Sequence, residues 1–124
     1  YALAPDGTLR FSLQTRGDVR AAPALAAAGT IYAGSFDGSL YAVKPDGTLK
    51  FAYRAGGRIL SSPVIDADGN VYFGTQDDSV HSVAPDGTGR WIARFAGDVD
   101  STPAIAADGT LYVGCDDGAL HALR

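Results

Sequence analysis

Apolar residues recur at every second position in short runs, and clusters of Gly, Pro and Asp separate the runs. From Thr30 to Ser35, Ile31, Ala33 and Ser35 fall on one side of an extended chain, and Tyr32 and Gly34 on the other. The alternation returns as Val71, Phe73, Thr75 against Tyr72, Gly74, and as Leu111, Val113, Cys115 against Tyr112, Gly114. A period of two marks a β-strand. Both sides are largely apolar, so these strands are expected to be covered on both faces, as stacked sheets require.

Residues 20–54 read as four strands. The first spans about 22–26 and is opened by Pro23, which suits a strand start. Ala28-Gly29 turns the chain into a second strand at 30–35, and Phe36-Asp37-Gly38 turns it into a third at 40–43. In Pro45-Asp46-Gly47, Pro presets φ, Asp bonds the local backbone and Gly takes the left-handed position. A fourth strand follows at 48–54, and Gly56-Gly57 releases the chain. Three successive hairpins make an antiparallel meander without room for a helix.

The unit repeats with a period of 40 residues and no gap. YALAPDGTLRF at 1–11 returns as YAVKPDGTLKF at 41–51 and HSVAPDGTGRW at 81–91, and HALR at 121–124 opens another copy. All 6 Pro fall at repeated positions, and most of the 16 Gly do so as well. The repeats are 1–40, 41–80 and 81–120 within one segment, 1–124. A lone four-stranded sheet cannot bury two apolar faces, but neighbouring sheets can. The expected fold is all-β: a β-propeller segment of three four-stranded antiparallel blades, with 13 strands and a half-blade offset at the ends.

Composition agrees. The chain has no Glu or Met, 14 acidic residues that are all Asp, and a net charge of −4. Clustered Lys and Arg are missing, which argues against a nucleic-acid partner. No apolar run approaches the roughly 20 residues of a membrane helix. No leader segment is legible, and the first residue, Tyr1, suits a mature or excised segment. A single Cys excludes an internal disulfide framework.

Pro103–Gly114, Asp117–Leu123 and Asp86–Trp91 together resemble the PQQ-like (quinoprotein-type) β-propeller repeat. The resemblance covers the whole chain and implies the propeller fold. The family includes PQQ-dependent dehydrogenases, an outer-membrane assembly lipoprotein and sensor domains. It is often extracytoplasmic, so the resemblance implies a periplasmic or cell-surface location. A family Trp near the fourth strand docks between blades, and its counterparts here are Phe11, Phe51 and Trp91. The family's Thr-Gly-Lys stretch is replaced by Pro-Asp-Gly-Thr.

Candidate chemistry is sparse. His81 and His121 stand where other copies have Tyr1 and Tyr41, which suits packing better than ligation. Cys115 aligns with Ser35 and Thr75 and has no evident base beside it. Asp66-Ala-Asp68-Gly-Asn70 opens like a calcium loop but lacks the closing Glu, and it reads as a hairpin turn. Asp77-Asp78 and Asp116-Asp117 read as solvated turn acids. Arg16-Gly17-Asp18 spells a cell-adhesion tripeptide, but Gly17 belongs to the repeat itself.

The copies differ most in two loops that open on one face, the link between blades and the second-to-third-strand turn. Asp18, Arg20, Arg58, Asp98 and Asp100 are therefore candidate ligand-facing residues around one mouth of the channel. The expected function is a non-catalytic scaffold or binding module, with a partner protein or small polar ligand at that mouth and no catalytic residue, cofactor or metal. The alternatives are a PQQ-dependent dehydrogenase fragment, for which Ca²⁺ ligands are scarce, and a sensor or lectin-like module of a larger surface protein. Three blades cannot close a ring. Either a second copy completes a ring of about six blades, or a longer parent chain supplies the rest.

Overall fold

The computed structural model describes residues 1–124 and contains thirteen strands and no helix. In chain order these are β1 Ala2–Leu3, β2 Leu9–Phe11, β3 Ala24–Leu25, β4 Ile31–Gly34, β5 Ser39–Val43, β6 Leu49–Arg54 and β7 Val64–Ile65. Then come β8 Val71–Thr75, β9 Ser79–Val83, β10 Gly89–Arg94, β11 Ala104–Ile105, β12 Leu111–Gly114 and β13 Leu120–Leu123. They form four antiparallel sheets of consecutive strands: β1-β2, β3-β4-β5-β6, β7-β8-β9-β10 and β11-β12-β13. Equivalent strands share a register, with Ile31 opposite Val43, Val71 opposite Val83 and Leu111 opposite Leu123.

One turn recurs throughout. In the β3–β4 hairpin, Gly29 N donates to Ala26 O at 2.9 Å and Ala26 N donates to Thr30 O at 2.9 Å. The same pair of bonds closes the turns that start at Ala4, Ser35, Lys44, Asp66, Ala84, Ala106 and Cys115. A three-residue loop of this kind ends on a left-handed residue, normally Gly. The β8–β9 turn puts Asp78 there instead, at φ 65°, where its counterparts are Gly38 and Gly118 at φ 85°. In the Pro-Asp-Gly turns the Asp carboxylate braces the loop, and Asp46 Oδ1 accepts from Thr48 N at 2.9 Å and from its hydroxyl at 2.6 Å.

The first strand of each four-stranded sheet is shorter than the alternation suggests. Ala22 is outside the ladder because its N–H donates to Ser62 Oγ, in the link to the next sheet, at 3.0 Å. Pro23 has no N–H to give. The backbone ahead of β3 thus bonds around the assembly rather than across its own sheet.

The core lies between sheets. One buried cluster joins Tyr32, Leu40 and Ala42 to Ile59, Val71, Phe73 and Val83, and a second joins Val80 to Val99, Leu111 and Val113. β9, with a sheet on each side, is buried along its whole length. Ile59 and Val99 come from links rather than strands, and each sits on a glycine of the preceding sheet. A Cβ on Gly34 would lie 2.3 Å from Ile59 Cγ2, and one on Gly74 would lie 2.1 Å from Val99 O. Burying each such side chain contributes roughly 1.5–3 kcal/mol. The repeated glycine is therefore the seat for the next link.

Candidate functional site at the link-bearing mouth

The links meet the second-to-third-strand turns at one end of the sheets. Phe36 N donates to Asp18 O at 2.8 Å, Gln76 N to Arg58 O at 2.9 Å and Asp116 N to Asp98 O at 2.9 Å. These three equivalent bonds fix the variable side chains in a row. Further bonds run from link to link, including Ser61 Oγ to Ser101 O at 2.7 Å.

The row divides by charge. Arg20 Cζ lies 5.0 Å and Arg58 Cζ 5.7 Å from the centre of the Phe36 ring. A guanidinium over an aromatic face gains about 0.5–1 kcal/mol at an exposed site. Arg20 also pairs with Asp18 at 3.0 Å, with both side chains well exposed, which adds little stability. Farther along, burial and then the carboxylates of Asp100, Asp78 and Asp116 hold the Asp98 carboxyl above its ordinary range. Gln76 Nε2 donates to Asp100 Oδ2 at 3.1 Å, while Asp100 Oδ1 is buried and has no hydrogen-bond partner. Arg20 and Arg58 thus share the Phe36 ring, and Asp98 and Asp100 group with two turn acids.

The family described as outer membrane protein assembly factor BamB matches residues 1–124. The chain belongs to that family. No curated protein matches it. Among solved structures it resembles BamB from Moraxella catarrhalis, with a TM-score of 0.80 and 21% identity over 94% of this chain and 37% of that one. It also resembles the WD40 β-propeller domain of Doa1, with a TM-score of 0.76 and 16% identity over 83% of this chain and 36% of that one. The structure of BBS1N in complex with ARL6DN gives a TM-score of 0.71 and 15% identity over 89% of this chain and 38% of that one. The fold is therefore a β-propeller, and the chain spans less than two-fifths of the length of these three proteins.

In this BamB-family chain the three fourth-strand aromatics differ in surroundings. Phe11 lies against Gly47 and Phe51 against Gly87, each glycine belonging to the Pro-Asp-Gly turn of the following sheet. Phe51 also meets Tyr32 at a ring separation of 6.1 Å. Trp91 packs on Tyr72 at 5.8 Å and stays 36% exposed beside a cleft of about 370 Å³ that Leu111 and Leu123 also line.

The remaining candidates are engaged locally. Asp66 is partly buried, which raises its pKa, but bonds from Asn70 and Tyr72 and from the Asn70 and Asp68 amides outweigh this and hold it low. With both oxygens so occupied, the 66–70 segment is a braced turn. In 16–18, Arg16 N donates to Asp37 Oδ2 and a Cβ on Gly17 would lie 2.6 Å from Asp37 N, so the tripeptide is built into the link. His81 is 2% exposed, stacks on Phe73 at 5.4 Å and shares a hydrogen bond with the Tyr53 hydroxyl at 3.1 Å through Nδ1. Burial lowers its pKa, and its Nε2 has no partner.

Two features escaped the sequence reading. The links carry core residues, signalled only by Val19, Ile59 and Val99 all being apolar between variable neighbours. The turn acids also engage the ring four residues on, as in Tyr41 Oη to Asp37 Oδ2 at 2.6 Å and His121 Nε2 to Asp117 Oδ2 at 2.8 Å.

Proposed function

We propose that this chain is a non-catalytic binding module of a propeller, which holds a partner carrying both signs of charge at the mouth where links and second turns meet. The observation that carries this reading is the division of charge there. Arg20 and Arg58 share the Phe36 ring, and Asp98 and Asp100 stand with Asp78 and Asp116. A protein partner fits best, because the family is one of assembly factors and the BBS1N structure is itself a protein complex. An extracytoplasmic location accords with the family description.

An array of short peptides of varied charge, probed with the chain, tests the reading. Binders are expected to carry both signs. Arg58→Glu and Asp100→Asn should each weaken them about tenfold or more. Lys44→Ala, at the opposite end, should leave them unchanged. Peptides that bind equally well after both mouth substitutions would overturn the proposal. Added PQQ and Ca²⁺ should leave Trp91 fluorescence unchanged, and a saturable change would favour a dehydrogenase fragment instead.

The rest of the ring comes from a second copy or from adjoining sequence. Tyr1, Leu3 and Leu9 on the first sheet and Tyr112 and Leu120 on the last are exposed apolar side chains that such a neighbour would cover. Sedimentation of the 124-residue chain separates the cases. A dimer supports the first, and a stable monomer rules it out.

A further inference from the structure

We propose that Cys115, Asp117 and His121 form a binding site for a transition-metal dication of the Zn²⁺ class. This does not rest on the mouth reading. All three residues belong to the β12–β13 hairpin, and their ligand atoms lie within 4.8 Å of one another. Metal–ligand bonds of about 2.0–2.3 Å in tetrahedral geometry put ligand atoms about 3.3–3.8 Å apart. Small side-chain adjustments bring the three into that range. His121 Nε2 and Asp117 Oδ2 already converge at 2.8 Å.

Each ligand is held from behind. Asp117 Oδ1 accepts from Ala119 N at 2.9 Å, which leaves Oδ2 to face the imidazole. The His121 ring packs against Phe95 at a centroid distance of 4.6 Å. Cys115 Sγ accepts from Asp117 N at 3.5 Å, a bond that a thiolate keeps, while the bond that the thiol donates to Gly97 O at 3.2 Å is given up with its proton. Such outer contacts orient metal ligands and raise affinity.

The other repeats supply an internal comparison. The same three places hold Ser35, Asp37 and Tyr41, and then Thr75, Asp77 and His81. There the Asp accepts a bond from a neighbouring hydroxyl, from Tyr41 in one copy and from Thr75 in the other. In those two copies the arrangement is a turn brace. Only the last copy combines a thiol, a carboxylate and an imidazole, a donor set that suits Zn²⁺ and Co²⁺ rather than Ca²⁺ or Mg²⁺. The carboxylate of Asp116 close by adds a field that attracts cations.

Binding forms bonds from Sγ, Oδ2 and Nε2 to the metal, and water takes the fourth position. The Cys115 proton leaves to solvent, and the imidazole proton resides on Nδ1. The His121–Asp117 hydrogen bond is given up.

Titrating the reduced 124-residue chain with Co²⁺ tests the proposal. One equivalent is expected to produce a thiolate-to-cobalt charge-transfer band and visible bands of tetrahedral intensity. Zn²⁺ should displace the cobalt, with one site by calorimetry. Cys115→Thr should abolish the charge-transfer band and weaken Zn²⁺ binding at least tenfold. His121→Tyr should also weaken binding at least tenfold, while it retains the Tyr41-type bond to the turn Asp and hence an unchanged far-ultraviolet spectrum. Absence of the band in the wild-type chain, or Zn²⁺ affinity unchanged in both variants while the fold is intact, would overturn the assignment.

Discussion

Phe51 packs its ring directly over Gly87, so closely that a Cβ there would lie 2.9 Å from Phe51 Cγ. The contact joins the last strand of one sheet to the Pro-Asp-Gly turn of the next. Gly7 occupies the same turn in the first repeat at φ 87°, with no atom within 4 Å of its would-be Cβ. Gly87, at φ 92°, shares its conformation and differs in its surroundings.

The pair separates strain from packing. Gly7→Ala should cost about 1–2 kcal/mol, the penalty for a side chain in the left-handed region. Gly87→Ala should cost about 1–3 kcal/mol more, because Phe51 must also move. Denaturant midpoints of the two variants check this, and equal losses would show that the aromatic yields freely.

Ile59 is a link residue that behaves as core. Ile59→Ala should destabilise by about 2–5 kcal/mol, since it empties the seat on Gly34. Val19→Ala, at the equivalent place in the first link, where Val19 is 48% exposed, should cost about 1 kcal/mol or less. Thermal unfolding of both variants would measure the difference.

Asp78 holds a left-handed conformation that its two counterparts assign to glycine. Asp78→Gly should raise stability by roughly 1 kcal/mol. Asp78→Asn serves as the control. It removes the charge that bears on Asp98 but leaves the backbone demand. If Asn stabilises as much as Gly, charge relief rather than backbone strain is responsible.

The pH dependence has a defined sign. Burial lowers the pKa of His81, so in the neutral-to-acid range the unfolded chain binds the proton more readily than the folded one. Stability should be fully present above the unfolded histidine value of about 6.5. It should fall as the pH drops below that value, levelling once the folded state titrates. His81→Gln should flatten this segment of the stability–pH curve. Asp66, held low, contributes in a separate window: its stabilisation is present above the ordinary carboxylate pKa and is lost as pH falls through its lowered value.

Much of this architecture was legible because its determinants are local. The period-two runs gave β4, β8 and β12, and each Pro-Asp-Gly or Asp-Gly gave a turn whose left-handed residue falls where expected. Ile59 and Val99 were not legible, because the glycines that seat them lie 25 residues earlier and belong to another sheet. The extent of β3 was missed for a similar reason, since the Ala22 amide is spent on Ser62. The charged positions at the mouth could be named from variation between copies. Their sorting around Phe36 and Asp98 depends on side-chain placement, which no spacing rule conveys.

Every sheet closes its ladder with consecutive strands, and β9 alone is buried throughout. Such an array has no long-range pairing to await during folding. Its protection from solvent exchange should be graded by place, not uniform. In the 124-residue chain on its own, the amides of β9 set the ceiling of that gradient, and β1 and β13 open first. Until a neighbour covers them, the two end strands are therefore the adaptable part of this segment, and the third sheet is the fixed reference against which that neighbour must fit.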